Sequence, residues 1–307
     1  MMKDGLYCSA GMDMFSIGSE GDVHRCNTLV LQKEHSLGNI FDSNVHANQA
    51  YSWCPVQKCE QICDRHWSSK KVISDGAESD NQGIQDRNAY NGLKKPCSII
   101  WAPSWKCNYN CHYCGLPKDT RKTTADQWVQ AFERFIACNE FDGGLLHTNG
   151  GEPLFYDGIE KIFSFMASKG FEICLTTNLS SDVWKKVVHA APPEKWRSIN
   201  CSLHPTEPKF SWEVYSGRIL ALKALGYPVA MNLVGHPSQI MLAPQYAKFC
   251  KDAGITFSLI PMIGKFDGFD FPTVADYPKA MRRIIESLCP ETLDDSNKFY
   301  EGARATS

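Results

Sequence analysis

The chain is 307 residues long, enough to bury a full core and to hold a barrel-sized domain beside a smaller one. Its 32 Lys and Arg against 34 Asp and Glu give a formal charge of -2, so it has no polycationic surface and nucleic acid is disfavoured as the main partner. No run of about 18 apolar residues could span a bilayer, and residues 1–8 lack a signal-type apolar segment, which predicts a soluble, cytoplasmic protein with no membrane partner.

Without an oxidising compartment, the 14 Cys read better as metal ligands and packing residues than as disulfides. Residues 12–17 and 23–26 are strand-like and flank a glycine-containing loop at 18–22, which predicts a β-hairpin. Cys8 precedes the first strand and Cys26 ends the second, so folding the hairpin can bring both thiols to one end. Cys54, Cys59 and Cys63 follow and can complete a closed four-thiolate site, a donor set that suits an iron-sulfur cluster or zinc. Residues 67–96 turn polar, with little apolar periodicity, and read as a linker between a domain at 1–66 and one at 97–307.

From residue 97 onward the pattern is strand then helix, six times. Strands are expected at 97–102, 144–148, 171–177, 198–203, 228–234 and 256–260. Thr124 and Gln127 form a capping box for a first helix with Trp128, Ala131, Phe132, Phe135 and Ile136 on one face. A second helix carries Ile159, Ile162, Phe163 and Met166 and stops at Gly170, and a third carries Val183, Trp184, Val187 and Val188. Later helices centre near Leu220, Phe249 and Ile284. This alternation predicts an α/β fold with a parallel sheet, and periodicity alone allows a barrel, a barrel fragment or a doubly wound sheet. Cys97, Cys138, Cys174, Cys201, Cys250 and Cys289 sit among apolar neighbours and read as packing residues.

The stretch after the first of these strands holds Cys107, Cys111 and Cys114 at a C-x3-C-x2-C spacing, with Tyr113 just before the last thiol. Three thiolates can hold only three irons of a four-iron cube and leave the fourth open to a small molecule, although a zinc knuckle or buried core thiols fit the same spacing. The stretch resembles the cluster loop of the radical S-adenosylmethionine (SAM) superfamily. His147-Thr-Asn-Gly150-Gly151-Glu152, after the second strand, resembles that superfamily's GGE motif.

The resemblance implies a partial (β/α)6 TIM-type barrel, a SAM-binding [4Fe-4S] cluster on Cys107, Cys111 and Cys114, and SAM contacts from Tyr113, Gly150, Gly151, Glu152 and Asn178. Glu152 would pair with the SAM ammonium. Residues 1–66 are similar to SPASM or twitch auxiliary domains, here placed before the barrel. That likeness implies one auxiliary [4Fe-4S] cluster on four of Cys8, Cys26, Cys54, Cys59 and Cys63. It also implies a flavodoxin- or ferredoxin-type electron donor.

On the fourth strand Ser202 and His204 share a face, and on the fifth Asn232 and His236 do, so all four are candidates for the cavity at the strands' C-terminal ends. Ser202 and Asn232 are read as cofactor-binding and His204 as a general base or substrate ligand, the alternative being loop capping. The family chemistry is cleavage of SAM to a 5'-deoxyadenosyl radical that takes a hydrogen atom from a small-molecule substrate. Neither Cys174 nor Cys201 is placed to return a hydrogen, which favours dehydrogenation of a sugar- or cyclitol-like alcohol over epimerisation. Peptide cross-linking and a non-enzymatic zinc-binding protein are the other readings.

Overall fold

A computed structural model describes residues 6–8, 11–26, 35–42, 44–48, 52–53, 71–72, 93–114, 116, 122–271, 273–289 and 300–301. In chain order the strands β1 (Leu6–Cys8), β2 (Met14–Ile17), β3 (Asp22–His24), β4 (Ser36–Asn39), β5 (Ser52–Trp53), β6 (Lys71–Val72) and β7 (Cys97–Trp101) come first. They are followed by α1 (Ala125–Asn139), β8 (Gly144–Thr148), α2 (Ile159–Ser168), β9 (Phe171–Thr177), α3 (Trp184–Val188), β10 (Trp196–Leu203), α4 (Trp212–Ala224), β11 (Val229–Gly235), α5 (Ala243–Ala253), β12 (Thr256–Phe266), β13 (Phe269–Phe271) and α6 (Lys279–Leu288). The chain divides into two compact units, one of residues 1–103, 120–148 and 157–173, the other of residues 104–119, 149–156 and 174–307.

In the first unit the strand order is β8-β7-β2-β3-β4. The hairpin expected near the N-terminus forms, with Ser16 opposite His24 and Ile17 opposite Val23. Its other neighbour is β7, paired in parallel from Met14 and Ser98 to Ile17 and Trp101. β2, β3 and β4, which fall in the stretch read from the sequence as the domain at 1–66, therefore extend the sheet that β7 begins. Every side chain of β2 is buried, and a lone hairpin cannot cover two apolar faces. β1 pairs with β5 and with β6, and β6 falls inside the stretch expected to be linker.

The first unit's core follows from helix periodicity. Thr124 caps α1, accepting from the Gln127 N–H at 3.3 Å while Gln127 Oε1 accepts from the Thr124 N–H at 2.9 Å. The buried stripe of α1 then sets Phe135 edge-on to Phe15, with ring centroids 5.0 Å apart, and Trp128 edge-on to Trp101 at 5.2 Å. Buried rings of this kind contribute about 1.5–3 kcal/mol each.

In the second unit the order is β13-β12-β11-β10-β9, with β10, β11 and β12 parallel. One face alternates Ile199, Cys201 and Leu203, then Met231 and Leu233, all buried. The opposite face carries the register row Ser202, Asn232 and Ser258, each half-buried. The sixth strand runs past the expected end at residue 260, because β12 turns back on itself to pair antiparallel with β13 from Gly264 and Phe271 to Phe266 and Phe269. The turn is Asp267-Gly268, with φ of 45° and 79°, the backbone that a two-residue hairpin requires. Among the described residues, no helix is long and apolar enough to cross a membrane.

Candidate active site

All three thiols of the Cys107 loop belong to the second unit, as do the Gly150-Gly151-Glu152 loop and the ends of β10 to β12. The two loops are tied backbone to backbone. Gly151 N–H donates to the Ser104 carbonyl at 3.0 Å, and Glu152 N–H donates to the Lys106 carbonyl at 2.8 Å. A Cβ on Gly151 would stand 2.1 Å from the Lys106 oxygen and 2.5 Å from that of Trp105, so glycine is required there by the cysteine loop itself.

Glu152 is 1% exposed, and its carboxylate is already engaged within the chain. Oε1 accepts from Thr177 Oγ1 at 2.6 Å and from the Leu154 N–H at 3.0 Å, and Oε2 accepts from the Asn178 N–H at 2.6 Å. Burial pushes its pKa up to about 7, against the pull of those three donors. Its evident task is to lock the loop to the end of β9. The ammonium contact expected of it would fall to its remaining lone pairs.

Asn178, 4% exposed, continues the chain of contacts, donating to Asn108 Oδ1 at 2.9 Å with Nδ2 3.9 Å from Cys107 Sγ. Asn108 in turn donates to Ser180 Oγ at 2.9 Å. On the loop's other side, Asn110 N–H donates to Glu207 Oε2 at 3.0 Å. His204 Nδ1 lies 3.4 Å from Cys111 Sγ and 2.7 Å from Tyr113 Oη, which also accepts from Gln239 Nε2 at 3.3 Å. Gln239 is fully buried and also donates to the Val234 carbonyl at 2.8 Å. Burial lowers His204 to about 4 and keeps the ring neutral near pH 7.

The structure thus gathers Cys107, Cys111, Tyr113, Gly151, Glu152, Asn178 and His204 into one hydrogen-bonded and packed set. Gly150, with φ 111°, precedes Gly151 in the same loop, and Cys114 closes the turn by donating its N–H to the Cys111 carbonyl at 3.0 Å. Ser202 and Asn232 are register partners on the polar sheet face, and Ser258, which the sequence reading passed over, joins them. Asn108, Glu207 and Gln239 were missed as well. Their sequence signal is weak, since each is a loop residue known only by the group it meets. Cys8 ends β1 and Cys26 is a buried residue after β3, whereas Cys54, Cys59 and Cys63 lie outside the described residues. Of the six Cys expected to pack, five are buried and Cys138 is half-buried.

Residues 103–241 match the family model described as the radical SAM superfamily. Residues 103–241 of the chain therefore carry a radical SAM domain, the domain of a superfamily of enzymes. Its fold is that of solved members. Streptococcus suis SuiB bound to precursor peptide SuiA superposes with a TM-score of 0.50 at 19% identity, over 66% of this chain and 48% of that one. The enzyme anSMEcpe with bound AdoMet and Kp18Cys peptide also gives 0.50, at 14% identity, over 66% of this chain and 63% of that one. A probable GTP 3',8-cyclase of Pyrobaculum aerophilum is 29% identical over 108 residues, 34% of this chain and 33% of that protein. The chain spans less than two thirds of the length of each relative.

Radical SAM enzymes use a [4Fe-4S] cluster and SAM. The donor set here fits such a cluster. Cys107, Cys111 and Cys114 are all partly exposed, whereas Cys174, Cys201, Cys250 and Cys289 of the same unit are buried. Tyr109 N–H points at Cys107 Sγ at 3.4 Å, a contact that suits a thiolate. Burial pushes Cys111 up to about 11, and Cys114 and Cys107 add to the rise, so a cation must replace the proton if the three are to be thiolates together.

Proposed function

We propose that this radical SAM enzyme oxidises its substrate by two electrons, that its SAM-binding cluster sits on Cys107, Cys111 and Cys114, and that Glu152 and Asn178 order the SAM-facing loop. The observation that carries the reading is the convergence of three partly exposed thiols with the Gly151-Glu152 loop, joined by the Gly151 to Ser104 and Glu152 to Lys106 hydrogen bonds. When bound, a reduced cluster and SAM supply a radical that takes a hydrogen atom from substrate.

The chain's own part is positioning. Tyr113, His204 and Gln239 brace the thiol loop from one side, and Asn178 and Asn108 brace it from the other. Ser202, Asn232 and Ser258 offer polar contacts on the sheet face that half-buried groups can make to a ligand. With its pKa lowered to about 4 and its Nδ1 taken by Tyr113, His204 serves better as a brace than as a base at neutral pH.

Oxidation is favoured over thiol-mediated epimerisation because, among the described residues of this unit, every thiol outside the triplet is buried. An auxiliary cluster on four of Cys8, Cys26, Cys54, Cys59 and Cys63 would supply an electron acceptor. In support, β1 sets Cys8 opposite Ser52, two positions before Cys54 in the sequence. A peptide is the substrate class to test first, since two solved proteins of this fold hold peptides, and a sugar-like alcohol has no such support.

The test is an anaerobic reaction of reconstituted protein with SAM, dithionite and candidate peptides. The reading expects 5'-deoxyadenosine together with a product lighter by a pair of hydrogens. Cys8→Ala with Cys26→Ala should keep 5'-deoxyadenosine formation and lose that product. A product isomeric with the substrate, carrying solvent deuterium, would replace oxidation by epimerisation.

A further inference from the structure

We propose that His112, His236 and Asp267 form a second metal site, which takes a zinc-type divalent cation through two imidazole nitrogens and one carboxylate oxygen. One ligand atom from each of the three lies within 4.8 Å of the others. His112 Nε2 and His236 Nε2 both stand 3.6 Å from the same oxygen, Asp267 Oδ2. That separation is too long for a hydrogen bond. It matches the edge of a tetrahedron around a metal, roughly 3.3–3.6 Å for ligand distances of about 2.0–2.2 Å.

His236 supplies the independent observation. It is 1% exposed, and its Nε2 is a buried polar atom with no hydrogen-bond partner among the described residues. A buried ring nitrogen left in that state destabilises the fold unless something occupies it. Its other nitrogen, Nδ1, lies 2.8 Å from Ser238 Oγ. The Ser238 N–H also donates to Nδ1, at 3.2 Å, so without a cation the ring carries its proton on Nε2. A metal at Nε2 would require that proton to move to Nδ1, where Ser238 Oγ accepts it, the outer-sphere arrangement usual for ligating histidines. Ser238 Oγ is also 3.5 Å from His112 Nε2, so the same hydroxyl touches both histidines of the cluster.

The surroundings are built for rigidity. Tyr113, Phe266 and Phe269 pack around the His236 ring at centroid distances of 5.3, 5.6 and 5.7 Å. Asp267 is held by the two-residue β12–β13 turn. His112 is the residue between Cys111 and Tyr113. A cation here would join the thiol loop, the loop after β11 and the β12–β13 hairpin at one point. The donor set contains nitrogen and oxygen but no sulfur, which separates it chemically from the Cys107 triplet, and imidazole with carboxylate suits zinc.

The proposal does not rest on the reaction assigned above. Its test uses full-length protein whose iron-sulfur sites have been filled anaerobically, titrated with Zn(II) and, in parallel, with Co(II) as the spectroscopic probe. The expected result is one additional zinc per chain and Co(II) ligand-field bands of a four-coordinate nitrogen and oxygen site, with no thiolate charge-transfer band. Asp267→Asn, in an exposed turn, and His112→Ala should each weaken zinc binding roughly tenfold or more, a loss that removing a ligand or its support produces. The Cys107, Cys111 and Cys114 triple Ala variant should keep the zinc. No zinc retained beyond the filled clusters would overturn the site. So would unchanged affinity in both His112→Ala and Asp267→Asn, or a cobalt spectrum with thiolate bands that vanish in the triple variant.

Discussion

Glu152 Oε2 accepts the backbone N–H of Asn178 at 2.6 Å, so the carboxylate of the glycine loop is bonded to the end of β9 before any ligand arrives. Three donors converge on that buried carboxylate. Glu152→Ala leaves all three unpaired, at about 1–3 kcal/mol for each buried group so exposed. The variant should unfold at lower denaturant and bind SAM more weakly, both measured on reconstituted protein. Wild-type stability with weakened SAM binding would show instead that the carboxylate's main partner is the ligand.

The same residue sets a pH dependence. Its pKa of about 7 in the fold lies above the ordinary carboxylate value of 4.5, so the native chain holds this proton more tightly than the unfolded chain does. Stability from this group is present below pH 4.5 and falls as pH rises towards about 7, by at most ~3 kcal/mol. The buried rings of His147 and His204, lowered to about 4, act in the opposite direction. The difference in urea midpoint between wild type and Glu152→Gln should therefore shift in favour of the variant between pH 4.5 and 7.5. A constant difference across that range would show that Glu152 stays ionised in the fold.

Much of this arrangement was legible in the sequence, and the parts that were not share a cause. Strand and helix positions from 97 to 260 followed from apolar periodicity, since Phe132 and Phe135 or Leu203 and Leu233 must face a core wherever they fold. The hairpin strands at 14–24 were equally plain, but their parallel pairing with β7 was not, because periodicity reports which face is buried and not which strand covers it. The Asp267-Gly268 turn was a readable signal, flanked by Phe266 and Phe269, that a count of six strand-helix units passed over. The partners of Cys111, Tyr113 and Asn110 come from residues 93, 126 and 97 positions further along the chain, and no local pattern encodes such pairs.

Gly151→Ala should be more damaging than its size suggests. The added methyl meets two backbone carbonyls of the thiol loop, Lys106 and Trp105, and backbone cannot yield as a flexible side chain can. Overpacking of this kind costs about 1–3 kcal/mol. Reconstituted Gly151→Ala should hold less iron and lose it faster to a chelator than wild type does. Full iron retention would mean that the two loops part readily.

Tyr113→Phe removes the hydroxyl that joins His204 Nδ1 to Gln239 Nε2, leaving two groups of the network without this partner. We expect a stability loss of about 1–2 kcal/mol by chemical denaturation. A shifted electron paramagnetic resonance signal from the reduced cluster should accompany it, since Cys111 shares His204 with that hydroxyl. Loss of stability with an unchanged signal would confine Tyr113 to packing.

The most direct measurement is 5'-deoxyadenosine formation by anaerobically reconstituted protein given SAM and dithionite, compared with the Cys107, Cys111 and Cys114 triple Ala variant. Wild type should form the nucleoside, and the triple variant, folded by circular dichroism, should form none. Equal amounts from both proteins, or none from wild type carrying its full iron, would contradict the assignment of the three thiols.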